Sequence, residues 1–282
     1  MASQTKTIDD CALCLRRDVL QMSHVIPRGV YRRVSKDPRG SVNIVRNKAI
    51  LTQSQLKVPL LCLDCEGRFS KYGENYFLAQ CLQPNGAFPL LDRALLARHA
   101  LTAVKGNTAY WKADQLGIDH AKIAYFAASL FWRTFAAKSK LPRERISLGL
   151  DSNFAEVLRM YLNSERQDLP GVMIKIDVFE GIPGLPHDHR YVYAMPQEVP
   201  HQFGPELRFY TAEALGFAFT MTTTSNPELI AAMNTNCFVH NPDHPLFLSQ
   251  EMQLATATRQ AAWIRRSAPT EHLRDFGKHH GT

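Results

Sequence analysis

Four of the six cysteines stand in two Cys-x-x-Cys pairs, Cys11 with Cys14 and Cys62 with Cys65, separated by 47 residues. Each pair sets two sulfur atoms on one short turn. Two such turns supply the four thiolates of a tetrahedral zinc ion, so the pattern predicts a structural zinc site held by Cys11, Cys14, Cys62 and Cys65. One histidine, His24, lies between the pairs in the stretch Ser23-His24-Val25-Ile26-Pro27. An imidazole that titrates near neutrality can move protons in catalysis. It can also be a satisfied core residue or a group beside the zinc. Cys81 and Cys237 are isolated and read as small core residues. His187 and His189 in "PHDHR" and His240 and His244 in "HNPDHP" belong to polar loops without further ligands nearby, and no metal is expected there.

Charge gathers around the same residues. The chain of 282 residues has a formal net charge of +7. Residues 1 to 80 hold 13 Lys or Arg and 7 Asp or Glu, whereas the remaining 202 hold 20 and 19. Basic charge is therefore concentrated beside the cysteine pairs, and a polyanion such as nucleic acid is its natural partner. With no leader pattern at the start of the sequence, paired cysteines read as reduced thiols of a cytoplasmic protein rather than a disulfide framework. No apolar run is long enough to span a bilayer, so no membrane association is expected.

The elements that must position these residues follow from periodicity. Residues 1 to 10 read as a loose, flexible tail. The first cysteine pair sits on a tight turn followed by an extended stretch, "RRDVLQMSHVIP". The second sits where a strand, "VPLLC", runs into a helix opened by Cys65, with Phe69, Tyr72, Tyr76 and Phe77 at helical intervals. Gly67 and Gly73 are the objection to that helix, at about 1 kcal/mol each relative to Ala. Residues 11 to 82 thus form a first unit, and "PNGAFPLLDR" reads as a connection. From 83 to 282 the pattern is α+β. Helices are predicted at 119–138, 151–165 and 248–266, and strands at 172–179, 190–195, 206–211 and 215–223, in a small antiparallel sheet. Trp132 and Trp263 are read as core. The second unit carries no nucleophile–base set, phosphate loop or paired carboxylates.

A turn with Cys-x-x-Cys, a strand pair, and a second Cys-x-x-Cys at a helix start is the order of a ββα treble clef. In that order "CALC", "SHVIP" and "LLCLDCE" resemble the zinc-bearing HNH (His-Me finger) endonucleases, over residues 11 to about 77. The resemblance implies phosphodiester hydrolysis in DNA. It puts His24 at the general-base position and Glu66, directly after the last cysteine, at the position of a ligand for a catalytic Mg²⁺ or Mn²⁺. The family's other ligand precedes the histidine, where this chain has Ser23. Glu74, two helical turns beyond Glu66, reads as a solvated helix residue, too distant to join the site. Arg28, Arg32 and Arg33 are expected to contact the nucleic-acid backbone, and Tyr31 to pack against the clef. The alternative reading is a non-catalytic zinc treble clef that binds nucleic acid or a protein partner. Homo-oligomerisation is left open.

Overall fold

The computed structural model describes residues 7–35, 42–45, 48–51, 55–97, 103–105, 108–112, 114–141, 148–179, 192–199, 206–236 and 245–249. In chain order the elements begin with β1 (Thr7–Asp10), β2 (Arg17–His24), α1 (Arg28–Val34), β3 (Val42–Val45), β4 (Lys48–Leu51) and β5 (Lys57–Leu61). A continuous helical stretch follows as α2 (Leu63–Phe69), a π-helical turn (Ser70–Glu74) and α3 (Asn75–Gln80). Then come α4 (Pro89–Leu96), β6 (Ala103–Lys105), β7 (Thr108–Lys112), α5 (His120–Ala137) and α6 (Ser152–Leu162). The last elements are β8 (Val172–Phe179), β9 (Val192–Val199), β10 (Leu207–Ala214), β11 (Phe217–Thr224), α7 (Pro227–Asn236) and β12 (Pro245–Ser249). The architecture is α+β, with one sheet of order β1-β2-β5 and another of order β4-β3-β9-β10-β11-β8-β12-β7-β6.

Three expectations are corrected. Residues 7 to 10 are not part of a loose tail: they form β1, antiparallel to β2 with Thr7 opposite Leu20 and Asp10 opposite Arg17. All four side chains are exposed, so backbone pairing holds the strand and the sequence pattern carries no trace of it. The second sheet is neither small nor wholly antiparallel. β8 to β11 do pair antiparallel, but the β3–β4 hairpin adds to one edge with β3 parallel to β9, and β12 lies parallel to β8. The helix expected from 248 starts inside β12, whose last residues are Leu248 and Ser249. The rest of that segment, with Trp263, lies outside the described residues, as do Cys237, His187, His189, His240 and His244.

The middle of the fold is α5. Asp119 caps it by accepting a hydrogen bond from the Lys122 amide at 3.1 Å, and 13 of its 18 residues are buried. On one side Phe126 stacks on Phe77 at 3.8 Å between ring centroids, and Trp132 meets Phe69. On the other, Phe126 packs against Phe219 of β11. Each buried aromatic contributes about 1.5–3 kcal/mol. Gly73 is explained here: a Cβ at that position would lie 3.0 Å from the Phe126 amide nitrogen, so the π-turn approaches α5 only because the residue is glycine.

The first 82 residues do not pack as a separate body. Arg159 of α6 donates to the Leu13 carbonyl at 2.8 Å, Lys140 to Pro59 at 2.7 Å, and Arg68 to Asn163 at 3.1 Å. With the β3–β4 hairpin in the large sheet, the boundary at 82 is one of sequence and not of packing. Among the described residues, no helix is long and apolar enough to cross a membrane.

Candidate metal centre and histidine site

The sulfur atoms of Cys11, Cys14, Cys62 and Cys65 all lie within 4.8 Å of one another and can hold a metal ion. The chain builds this cluster from two backbone turns. In the first, the Leu15 amide donates to the Cys11 carbonyl and the Cys11 amide to Arg16, which closes a knuckle with Leu15 at φ 61°. In the second, β5 ends at Leu61 and Cys62 stands immediately before α2, its amide donating to Cys11 Sγ at 3.3 Å. The sulfurs share charge unequally. Hydrogen bonding from the Cys65 thiol, chiefly, holds Cys11 down at about 4 against the opposing effect of burial. The Cys65 thiol is pushed up by that same bond, and Cys62 by burial. Four converging sulfurs are the donor set a thiolate-bound cation needs. Among the described residues no other group of three or more His, Cys, Asp or Glu converges in this way.

His24 ends β2, opposite Lys57 of β5. Its ring is half-buried beside Tyr31, and Nε2 donates to the Gln55 side-chain oxygen at 2.8 Å. A carbonyl oxygen at Nε2 fixes the proton there and leaves the lone pair on Nδ1. Burial, first, and then the nearby charges of Lys57 and Arg28 lower the imidazole pKa below 6.5, while Gln55 and Glu66 oppose the shift. The ring's proton-accepting atom is therefore Nδ1.

Ser23 does not fit a ligand role. It is 2% exposed, its hydroxyl donates to the Gln21 carbonyl at 3.3 Å and it accepts from the Leu61 amide at 3.2 Å. The hydroxyl ties β2 to β5. Glu66, in the first turn of α2, does fit a hard cation: its Oε1 is buried with no hydrogen-bond partner. Mg²⁺ is commonly held by one carboxylate, waters and substrate phosphate, so a single side-chain ligand suffices.

Glu74 corrects the expectation of a solvated residue outside the site. Its side chain is only 15% exposed, and its Oε1 lies 2.6 Å from Arg133 Nη2. The same nitrogen is 3.8 Å from Glu66 Oε2, and Nη1 donates to the His24 carbonyl at 3.3 Å. Eight helical residues rise about 12 Å, a gap that Arg133 spans from another helix. Burial raises the Glu74 carboxyl above its usual range, opposed by Arg133.

The three arginines expected on nucleic acid divide. Arg28 and Arg32 are exposed on α1. Arg33 is not free to serve: its guanidinium donates to Cys81 Sγ at 3.0 Å and to the Leu82 carbonyl at 3.2 Å, so it braces α1 on the end of α3. Cys81 is fully buried and pushed up to about 12 by that burial. Tyr31 is buried, and its hydroxyl accepts from the Leu56 amide. Three residues of the site were not singled out from sequence, Gln55, Lys57 and Arg133, and a fourth, Glu74, was expected outside it. The recurrence Glu66, Ser70, Glu74 at intervals of four was a usable signal for one helix face. No local signal marks Arg133. No family model, curated protein or solved structure matches the chain.

Proposed function

We propose that the chain is a metal-dependent, HNH-like endonuclease that hydrolyses phosphodiester bonds in DNA. Its zinc would sit in the four-cysteine cluster of a treble clef assembled from the first knuckle, β2, β5 and α2, with the thiols kept reduced in the cytoplasm. One observation carries the reading: His24 Nε2 is bonded to the Gln55 side-chain oxygen, which leaves the lone pair on Nδ1, in a setting where Lys57, Glu66 and Arg28 all act on the ring. Two exposed cations suit a phosphodiester backbone, and the imidazole suits a water molecule attacking phosphorus. His24 Nδ1 takes that water's proton as the new P–O bond forms and the leaving oxygen departs. Glu66 would hold a divalent ion, which would supply charge stabilisation at the phosphate and leaving oxygen.

A second reading is favoured by Ser23 and Arg133. The hydroxyl of Ser23 is already committed, and a guanidinium stands 3.8 Å from Glu66. These features suit a zinc clef that binds nucleic acid without cutting it. A plasmid-nicking assay with Mg²⁺ or Mn²⁺, wild type beside His24→Ala, with zinc content measured on both, separates the two. Metal-dependent nicking that His24→Ala abolishes at unchanged zinc content supports the endonuclease. Salt-sensitive binding without nicking selects the second reading, and neither activity overturns both.

A further inference from the structure

We infer that Arg133 is a positioning residue for the His24–Glu66 site, supplied by the second unit, and that Glu74 is the anion that holds it in place. Its kinetic consequence rests on the endonuclease reading, and its structural consequence does not.

Arg133 is 1% exposed, deep in α5. A guanidinium taken out of water is costly, and its surroundings offset that cost from four directions. Glu74 lies at 2.6 Å, Glu66 at 3.8 Å, the His24 carbonyl at 3.3 Å, and the Phe69 ring packs 4.3 Å below the guanidinium carbon. Stability alone does not require this arrangement, because a buried ion pair is often no better than apolar side chains of the same volume. What no apolar side chain can do is join three separate pieces of chain: the end of β2, the first turn of α2 and the end of the π-turn. The planar fork matters, since one ammonium group cannot reach oxygen atoms on all three.

Charge is also divided unequally. Two carboxylates face one guanidinium. Glu74 has the closer contact and the deeper burial, with a side chain 15% exposed against 27% for Glu66. Arg133 is thereby matched mainly to Glu74. Oε1 of each acid is buried without a hydrogen-bond partner, that of Glu74 in ion contact with Arg133 and that of Glu66 free of it. Arg133 itself is too buried to touch a substrate, so it acts through His24 and Glu66.

The test uses the full-length protein in three forms: wild type, Arg133→Lys and the double variant Arg133→Met with Glu74→Gln. The double variant removes the cation and its main anion together, which leaves only Glu66, with a side chain 27% exposed, without that counter-ion. Zinc content, kcat, KM for plasmid DNA and the His24 ring proton signals in NMR, assigned with His24→Ala, are read on each. In the double variant kcat should fall about 30-fold or more, the scale expected when reacting groups shift by a fraction of an ångström. Its KM should stay within about threefold, because the exposed Arg28 and Lys57 still meet the backbone. Arg133→Lys keeps charge near Glu74 but lacks the fork, and kcat should fall about tenfold at full zinc content. A folded Arg133→Lys variant with wild-type kcat overturns the inference, as does a double variant whose kcat and KM both match the wild type. So does a fall in activity that only follows lost zinc. If the wild type does not nick DNA, the endonuclease reading falls and the NMR arm decides. His24 signals displaced in the double variant with zinc retained support positioning, and unmoved signals overturn it.

Discussion

Glu213 offers a quantitative test of the fold, independent of the site. It sits in β10, 2% exposed, with neither carboxylate oxygen hydrogen-bonded. Its partners across the sheet are Ala194 and Ala218, which have no polar side chain to offer. Burial alone raises its pKa from 4.5 to about 8. Between those values the folded chain keeps the proton and the unfolded chain has released it. The unfolded state then binds fewer protons, so stability falls as pH rises from 4.5 to about 8 and is level beyond. Each pH unit in that window costs about 1.4 kcal/mol, which makes roughly 3 kcal/mol by pH 7. Glu213→Gln has no proton to lose. It should therefore match the wild type near pH 4.5 and exceed it by about 3 kcal/mol at pH 7. Urea unfolding of both proteins at a series of pH values measures the difference directly. Glu74 and Asp177, which burial also raises, contribute to both proteins and cancel. A difference that stays flat from pH 5 to pH 8 would refute the assignment of a neutral, desolvated carboxyl to this strand.

Cys65→Ser or chelation should release zinc and destabilise the whole chain, since structural zinc binding is worth about 10–16 kcal/mol in small domains; elemental analysis beside thermal melting checks this, and unchanged melting after complete metal loss refutes it. His24→Ala should lower metal-dependent nicking by about 10²–10⁴-fold without moving the melting temperature, because among the described residues the ring's one hydrogen bond is to Gln55. Charge reversal at Arg28 or Lys57 should weaken DNA binding and flatten the plot of log K against log salt by about 1 unit each; an unchanged slope would place the nucleic acid elsewhere. Ser23→Asp should not create a better metal site. The position is 2% exposed and already bonded on both sides, so the change should destabilise by about 3–5 kcal/mol, as an uncompensated buried charge does, and enhanced nicking by that variant would contradict the placement.

The four-cysteine cluster was legible because its signal is local. Four cysteines in two pairs state their chemistry by spacing, and β5 running into α2 is visible as apolar residues before Cys62 and aromatic ones after it. Four of the nine strands of the large sheet, β8 to β11, were legible as short apolar runs bounded by turns. What stayed hidden depends on distant pairing. β1 has four exposed side chains and is a strand only because β2 lies beside it. The β3–β4 hairpin reads as part of the zinc unit by position and belongs to the other sheet by hydrogen bonding. Arg33 reads like any other member of a basic run, and only its contact with Cys81 and Leu82 removes it from the surface.

Arg133 shows why site chemistry is harder to read than site scaffolding. In the sequence it is a charge at the boundary of an apolar helix, "SLFWRTF", and such a charge ordinarily faces solvent. Here it is buried because two acids 59 and 67 residues earlier, Glu74 and Glu66, point at the same spot. Neither acid explains the arginine alone. Glu74 lies 2.6 Å and Glu66 3.8 Å from one guanidinium nitrogen, so a single cation faces two carboxyl groups. For the proposed endonuclease, the buried and already bonded Ser23 leaves Glu66 as the side chain that would anchor a divalent ion.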